Sequence, residues 1–521
     1  MGSYEYLKTI NIKNLYISKN CAILLFIFGV ITRFFRIDQE SLWLDEALSI
    51  SLAQKADIHQ LIANLHYAAW DDAHPIFYYF LLHYWIEAFG TSEIALRSLS
   101  AIFGILIVLF TYYIGEKLFD KNVGIITSIL LLVNPVSVWY SQEARMYTLF
   151  SLLILLSTYI LFQLFLMQNI KYSVLYILTS ILLIYTHYIG LLVLSLHAIF
   201  IFINILIQKN VGLLKRIAII YVAIAILYLP WIPNMMLTIS TGKAACWMAP
   251  PTLREGLGAL IYVIGIIRND PVALFGSVIP NSILSIEYMA LSLIILVILA
   301  AVILESLPKL THFCSFIAII SIIPALIFII SIYIKPIFSN RQISSFSPEL
   351  IFLIAIGLVR IRDSKYLKHL SANNIFAILL LIILLHNSIS TYMIYAYETK
   401  DNWRDLADYI GNNVHDNDII LINNIFCVEP FNYYFNTYAS APVYGARNIN
   451  ESKLRIQGYQ KIWLILANPS TNNQSIITED EFTELVTSEW QGDFEIKEKE
   501  YSKTRLIRYS RIQHADTLVI G

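Results

Sequence analysis

Long apolar runs separated by short polar ones set the pattern of this chain. Ile189–Ile207, Leu284–Leu304, Phe313–Ile334 and Asn374–Tyr397 are each long enough to cross the ~30 Å hydrocarbon core of a bilayer as a helix. The whole pattern predicts about eleven spans, up to thirteen: residues 20–36, 96–118, 122–140, 146–167, 172–187, 189–208, 216–234, 284–306, 313–334, 347–361 and 373–397. After Tyr397 the pattern changes. "KDNWRDLADYIGNN" reads as helix, "DIILIN" and "KIWLILAN" as strands, "EDEFTELVTSEW" as helix, and "DFEIKEKEYSKTRLIRYSRI" as a hairpin. The expected fold class is a polytopic α-helical membrane protein, residues 1–397, followed by a small soluble α/β domain, residues 398–521.

Lys and Arg orient the spans. With the N-terminus inside, the inner loops hold Lys117 and Lys121, then Lys171, then Lys209, Lys215 and Arg216, then Lys309, then Arg360, Arg362, Lys365 and Lys368. The expected location is therefore the cell membrane, with the N-terminus cytoplasmic and residues 398–521 outside. The first outer loop, about 37–95, carries Asp38, Glu40, Asp45, Glu46, Asp57, Asp71 and Asp72. Its closing stretch, "HPIFYYFLLHYWIEAFG", is short and polar for a span, and reads as an amphipathic helix at the interface, opened by Pro75. A second outer region, about 235–283, is mixed in character.

Composition agrees: 57% of residues are hydrophobic and 14% charged, well under the ~25% of a soluble domain. A net charge of −1, with no basic run, gives no reason to expect a nucleic-acid partner. Cys21, Cys246, Cys314 and Cys427 have no paired spacing, which supports neither a disulfide framework nor a zinc site. The first span follows Lys8, Lys13 and Lys19 without a small-residue cleavage pattern, so it is expected to stay uncleaved.

In this topology several ionisable residues fall on the outer side. Asp45 and Glu46 stand side by side in "SLWLDEALSI", and Asp71, Asp72 and His74 precede the interfacial helix. "YSQEARMY" sets Glu143 and Arg145 at one span end, "YTHY" sets His187 at another, and "KPIFSNR" sets Lys335 and Arg341 at a third. Any one of them serves equally well as an anchor in the headgroup layer. Together, carboxylates, imidazoles and cations lining one cavity suit group transfer from a phosphate-linked lipid. A carboxylate takes the proton of an attacking hydroxyl. Arginines, a lysine or a divalent metal ion offset the charge that grows on the departing phosphate.

The motifs "SLWLDEA", "HPIFYYFLLHYWIEAFGTSEIALRSLSAIFG", "YSQEARMY", "YTHYIG" and "NRQISSFSPELIFLIAIGL" resemble, in order and spacing, the GT-C class of membrane glycosyltransferases. The likeness is nearest the protein O-mannosyltransferase and aminoarabinose transferase families. It implies a GT-C fold and a polyprenyl- or dolichyl-phosphate sugar as donor partner, used on the non-cytoplasmic face for an extracytoplasmic acceptor that the sequence does not name. Carried over by position, Asp45 is the catalytic base. Glu46 is its Asp-Glu neighbour, pointing about 100° away on a helix and holding backbone or a cation. Glu143 and Arg145 form the second acidic motif, and the resemblance counts Glu46 and Glu143 with Asp45 as catalytic residues. Asp72, His74, Tyr78, Arg145, His187, Lys335 and Arg341 are expected to bind substrate. Ile76 stands where the aminoarabinose transferases have the second proline of a Lys-Pro-Pro motif, His74 where they have its Lys, and Gln342 where a Tyr follows the Arg.

The rival reading is a transporter or flippase of a lipid-linked sugar. Transporters tend toward internal repeats and polar groups near the bilayer midplane. Here no repeat stands out, and the ionisable residues gather at span ends with a soluble domain after them, which favours the enzyme. A receptor or scaffold would explain the outer domain but not the Asp45–Glu46 pair.

Overall fold

The computed structural model describes residues 19–54, 60, 74–241, 249–265, 320–363, 372–397, 400–436, 441–445, 452–453, 456, 458–467, 478–489, 494–501 and 504–511. Two compact units emerge. One comprises residues 1–37 and 53–397, the other residues 38–52 and 398–521.

The first unit is a helical assembly. Among its described residues, five helices are long and apolar enough to cross a membrane: Glu93–Leu118, Tyr147–Met167, Ile189–Ile207, Val211–Ser240 and Ala372–Ala396. Lys19–Phe34, Ile170–Ile184 and Ser347–Arg362 are shorter helices at three further predicted spans. Ile323–Tyr333 is a helix in the described part, 320–334, of the span expected at 313–334, and the span expected at 284–306 lies outside the described residues. The stretch expected to be an interfacial helix forms a helix, Phe77–Phe89, that buries Tyr78, Tyr79 and Leu82.

The run expected as one span at 122–140 is broken. Lys121–Val133 and Pro135–Ser141 meet at Asn134 with a 63° bend. Pro135 is the cause: its ring excludes a continuous helix, and it sits at the first position of the second one. A break inside a membrane frees carbonyls that must find donors. The buried Arg33 guanidinium donates to Leu131 O at 2.8 Å and Leu132 O at 3.1 Å, and Thr391 Oγ1 donates to Val133 O at 2.8 Å. Asn134 Oδ1 accepts from Ser137 N at 2.8 Å and caps the new helix. Glu93–Leu118 and Lys121–Val133 approach each other through glycine: a Cβ on Gly115 would lie 2.3 Å from Gly124 Cα, so a methyl at either position would force the backbones apart.

The second unit is built on a five-stranded sheet. Strands β1 (Asp418–Ile422), β2 (Val443–Gly445), β3 (Lys461–Ala467), β4 (Phe494–Tyr501) and β5 (Thr504–Arg511) lie in the order β2-β1-β3-β5-β4. β1 pairs parallel with β2 and β3, while β5 pairs antiparallel with β3 and β4. Alternation along the strands divides the core in two. Ile420, Ile422, Trp463, Ile465 and Leu506 face one way, against Trp403, Leu406 and Phe431. Ile419, Leu421, Ile462, Leu464, Ile507 and Tyr509 face the other, against Phe482, Leu485 and Val486. A sheet covered on both faces explains why "DIILI" is buried throughout and apolar from Ile419 to Ile422.

Candidate functional site

Within the first unit, four expected site residues converge through direct contacts and short relays. His74 leads into the Phe77–Phe89 helix, whose first amide, Phe77 N, donates to Tyr185 O at 2.9 Å. That bond draws the end of Ile170–Ile184 to the start of Phe77–Phe89, and the His74 and His187 rings lie 4.7 Å apart. His187 stacks on Phe150 at 4.9 Å and accepts from Ile189 N at 3.1 Å, which fixes its ring. Tyr78 is fully buried; its hydroxyl lies 3.2 Å from Ser100 Oγ, which donates to Arg145 O at 3.0 Å. Tyr78 thus reaches the backbone of the second acidic motif.

That motif occupies the turn between Pro135–Ser141 and Tyr147–Met167. Glu143 is 1% exposed and Arg145 3% exposed. Trp139, one helical turn before Glu143, donates its indole N–H to Glu143 Oε1 at 2.7 Å. Arg145 N donates to Glu143 O at 2.8 Å, and the Arg145 guanidinium lies 5.8 Å from the Tyr147 ring centroid. Buried ionisable groups held this way are costly to desolvate, so they stand out as functional candidates.

Arg341 sits on the short helix Asn340–Ser344, started by the Ser339 side chain. Ser345, just after it, donates to Tyr147 O at 3.4 Å, and Phe346 meets Phe150 edge-on at 6.3 Å. These contacts bring the Arg341 segment to the same helix end as Arg145 and His187. Tyr262 donates to Tyr140 at 3.5 Å, and both phenols lie within electrostatic reach of Glu143 and Arg341. Lys335 is half-buried just past the Ile323–Tyr333 helix, with its backbone N–H on Ile330 O at 3.1 Å.

The second unit holds the Asp45–Glu46 pair, on the helix Leu44–Ala53. Asp45 is partly exposed and Glu46 fully buried. Glu46 Oε2 accepts from Lys400 Nζ at 3.1 Å and from Trp43 N at 3.4 Å. Around this pair the segment is stitched to residues just past the last span. Lys400 N donates to Glu40 Oε1 at 3.2 Å, Trp403 N to Ser41 Oγ at 3.1 Å, Leu42 N to Tyr434 OH at 2.7 Å, and Arg404 to Asp38 O at 2.8 Å.

Known proteins resemble this arrangement. Residues 73–236 match the family described as dolichyl-phosphate-mannose-protein mannosyltransferase. The crystal structure of ArnT from Cupriavidus metallidurans in the apo state aligns with a TM-score of 0.59 at 10% identity, over 94% of this chain and 98% of that one. The chain has the fold of the GT-C glycosyltransferases. Two further GT-C structures hold lipid phosphates. ArnT bound to undecaprenyl phosphate aligns with a TM-score of 0.58 at 11% identity, again over 94% and 98% of the two chains. The oligosaccharyltransferase AglB from Archaeoglobus fulgidus, in complex with an inhibitory peptide and a dolichol-phosphate, aligns with a TM-score of 0.56 at 13% identity, over 86% of this chain and 69% of that one. No curated protein matches the chain.

On this GT-C scaffold, His74, Tyr78, Glu143, Arg145, His187 and Arg341 belong to one neighbourhood of the first unit. Among the described residues, no hydrogen bond or ion pair of the Lys335 side chain joins it to them. Asp45 and Glu46 belong to the second unit, and Asp72 lies outside the described residues. Among the described residues no three or more His, Cys, Asp or Glu side chains are arranged to hold a metal ion. The sequence reading had missed Trp139, Ser100, Tyr140, Tyr262 and Lys400. Trp139 was accessible from its i,i+4 spacing to Glu143 and Tyr140 as the first residue of "YSQEARMY"; the others come from segments distant in sequence, and nothing in their local pattern marks them.

Proposed function

We propose that this protein is an integral-membrane glycosyltransferase that moves a sugar from a polyprenyl-phosphate donor to an extracytoplasmic acceptor with inversion at the anomeric carbon. The observation that carries the reading is the family match over residues 73–236. It encloses His74, Tyr78, Glu143, Arg145 and His187, which also meet in the fold. The lipid phosphates bound by two proteins of the same fold add weight.

In the proposed reaction Asp45 removes the proton of the acceptor hydroxyl as that oxygen bonds to the anomeric carbon. The bond from that carbon to the phosphate oxygen breaks on the opposite side, and its electrons leave with the lipid phosphate. Arg145 and Arg341, with Lys335, hold that phosphate and offset its added charge. A phosphate is already a good leaving group, so no separate acid is required. His74, Asp72, Tyr78 and His187 contribute to substrate binding, and Glu143 orients the reacting groups.

The test is transfer of radiolabel from a panel of lipid-phosphate sugars to extracted envelope fractions, using purified protein and its Asp45→Asn variant. Loss of the base is expected to slow transfer by about 10²–10⁴-fold while thermal stability stays level, with Glu46→Gln less affected. A folded Asp45→Asn protein with near-normal transfer would overturn the assignment of the base.

A further inference from the structure

Lys400 has no part in the chemistry proposed above, yet its surroundings are unusual. Its side chain is 7% exposed and that of Glu46 0%, with 3.1 Å between Nζ and Oε2. Two ionisable side chains taken out of water at such separation are costly unless they meet each other. Here they meet across 354 residues of sequence. Glu46 is the immediate neighbour of Asp45 on a helix of ten residues, so whatever fixes Glu46 also fixes where Asp45 points. Further ties reach residues 38–42, ahead of the helix: Arg404 to Asp38 O, Lys400 N to Glu40, Trp403 N to Ser41 and Leu42 N to Tyr434 OH. They place the segment leading into the helix. The Lys400–Glu46 bond is made on the helix itself, one residue from Asp45, and so bears directly on its rotation.

We infer that Lys400 is a positioning residue: its ion pair with Glu46 sets the rotation of the Leu44–Ala53 helix and thereby aims the Asp45 carboxylate. The geometry assigns the C-terminal domain a role in the reaction that needs no contact of its own with substrate. The kinetic part of this inference rests on Asp45 being the base; the structural part does not.

Three full-length variants in lipid nanodiscs separate the two parts: Lys400→Met, Lys400→Arg, and Lys400→Met combined with Glu46→Gln. Each is measured for donor KM and kcat, for thermal midpoint, and for amide hydrogen exchange in peptides spanning residues 44–53. In Lys400→Met, exchange across these peptides is expected to speed up. The rate constant kcat is expected to fall toward the roughly 100-fold that a displacement of about 1 Å costs, with donor KM little changed. Lys400→Arg is expected to recover most of both. In the double variant no lone buried charge remains, so the thermal midpoint should return toward that of the parent while kcat stays low. A pair serving stability alone would instead recover kcat together with the midpoint, and that result overturns the inference. So would a folded Lys400→Met protein with parental exchange at 44–53 and kcat within about twofold of the parent. If the parent itself transfers no lipid-phosphate sugar, the functional reading fails, and the exchange data alone decide whether Lys400 holds the helix.

Discussion

Arg341 and Arg145 differ in the company they keep. Arg145 is 3% exposed, within a turn tied by its own backbone and by Ser100, whereas Arg341 is half-buried on a five-residue helix. Arg341 is therefore the better residue for separating binding from folding. Arg341→Ala is expected to raise the donor KM and lower kcat/KM by about 10- to 100-fold, the size of one lost charge-assisted hydrogen bond. The thermal midpoint should change little. An unchanged donor KM and kcat would leave Arg341 as an interfacial anchor. At this scale the sequence was informative where a polar group interrupts an apolar run, as at Glu143, Arg145 and His187. It was silent on which of these meet. The His74–His187 approach depends on a backbone bond from Phe77 to Tyr185, and the Tyr78–Arg145 relay passes through Ser100, an ordinary helix serine.

Elements repeat the lesson in another form. Periodicity located the helices and strands because burial on one face or both dictates composition. It ran through the break at Asn134, because a bent span and a straight one have the same composition; Pro135 alone marked the place. The Ile425–Phe435 stretch and β2 went unread, since "FCVEPFNYYF" lacks a clear period and β2 has three residues. Gly265 shows what an element boundary can demand. It ends Leu253–Val263 at φ +100°, and a Cβ there would sit 2.4 Å from Asn387 Oδ1 and 2.9 Å from Asn134 Nδ2. Those amides donate to Ile264 O and Val263 O, holding the helix that carries Tyr262. Gly265→Ala should cost about 1–3 kcal/mol from backbone strain, read as a lower thermal midpoint, and a midpoint at or above the parent's would contradict the geometry. The sheet domain carries its own reporter. Burial, and then Asp401, push the Cys427 thiol up to about 12. Because the folded value lies above the unfolded one, this thiol contributes stability below the unfolded value that is lost as pH rises through about 12. At pH 8 thiolate is therefore scarce in the folded domain. In a Cys21→Ser, Cys246→Ser, Cys314→Ser background, iodoacetamide is expected to modify Cys427 only once denaturant opens the domain. Rapid labelling of native protein would contradict this.

For the whole molecule, the distribution of Lys and Arg expects a cytoplasmic N-terminus and an outer C-terminal domain. A reporter fused after Ser510 that works only outside the cytoplasm should be active, and one that works only inside should be silent; the reverse pattern would invert the topology. The composition divides the chain at residue 397 but contains nothing to group residues 38–52 with residues 398–521. That grouping is written in single contacts between distant segments, such as Tyr434 with Leu42 N, and local pattern does not encode them.

The same grouping puts the protein on a clock. The acidic helix leaves the ribosome early, and its partner Lys400 follows 354 residues later. At ordinary elongation rates that is a wait of roughly 20–70 s. Through it, Glu46 has no Lys400 to meet, and most of the remaining chain must be inserted before the pair can form. A nascent chain of this design leaves that pair unformed until residue 400 has been made. Pulse-labelled chains stopped after Tyr397 are therefore expected to be cut by protease within residues 38–52, where finished chains resist. Equal resistance in the two would mean that this segment needs no C-terminal partner to settle.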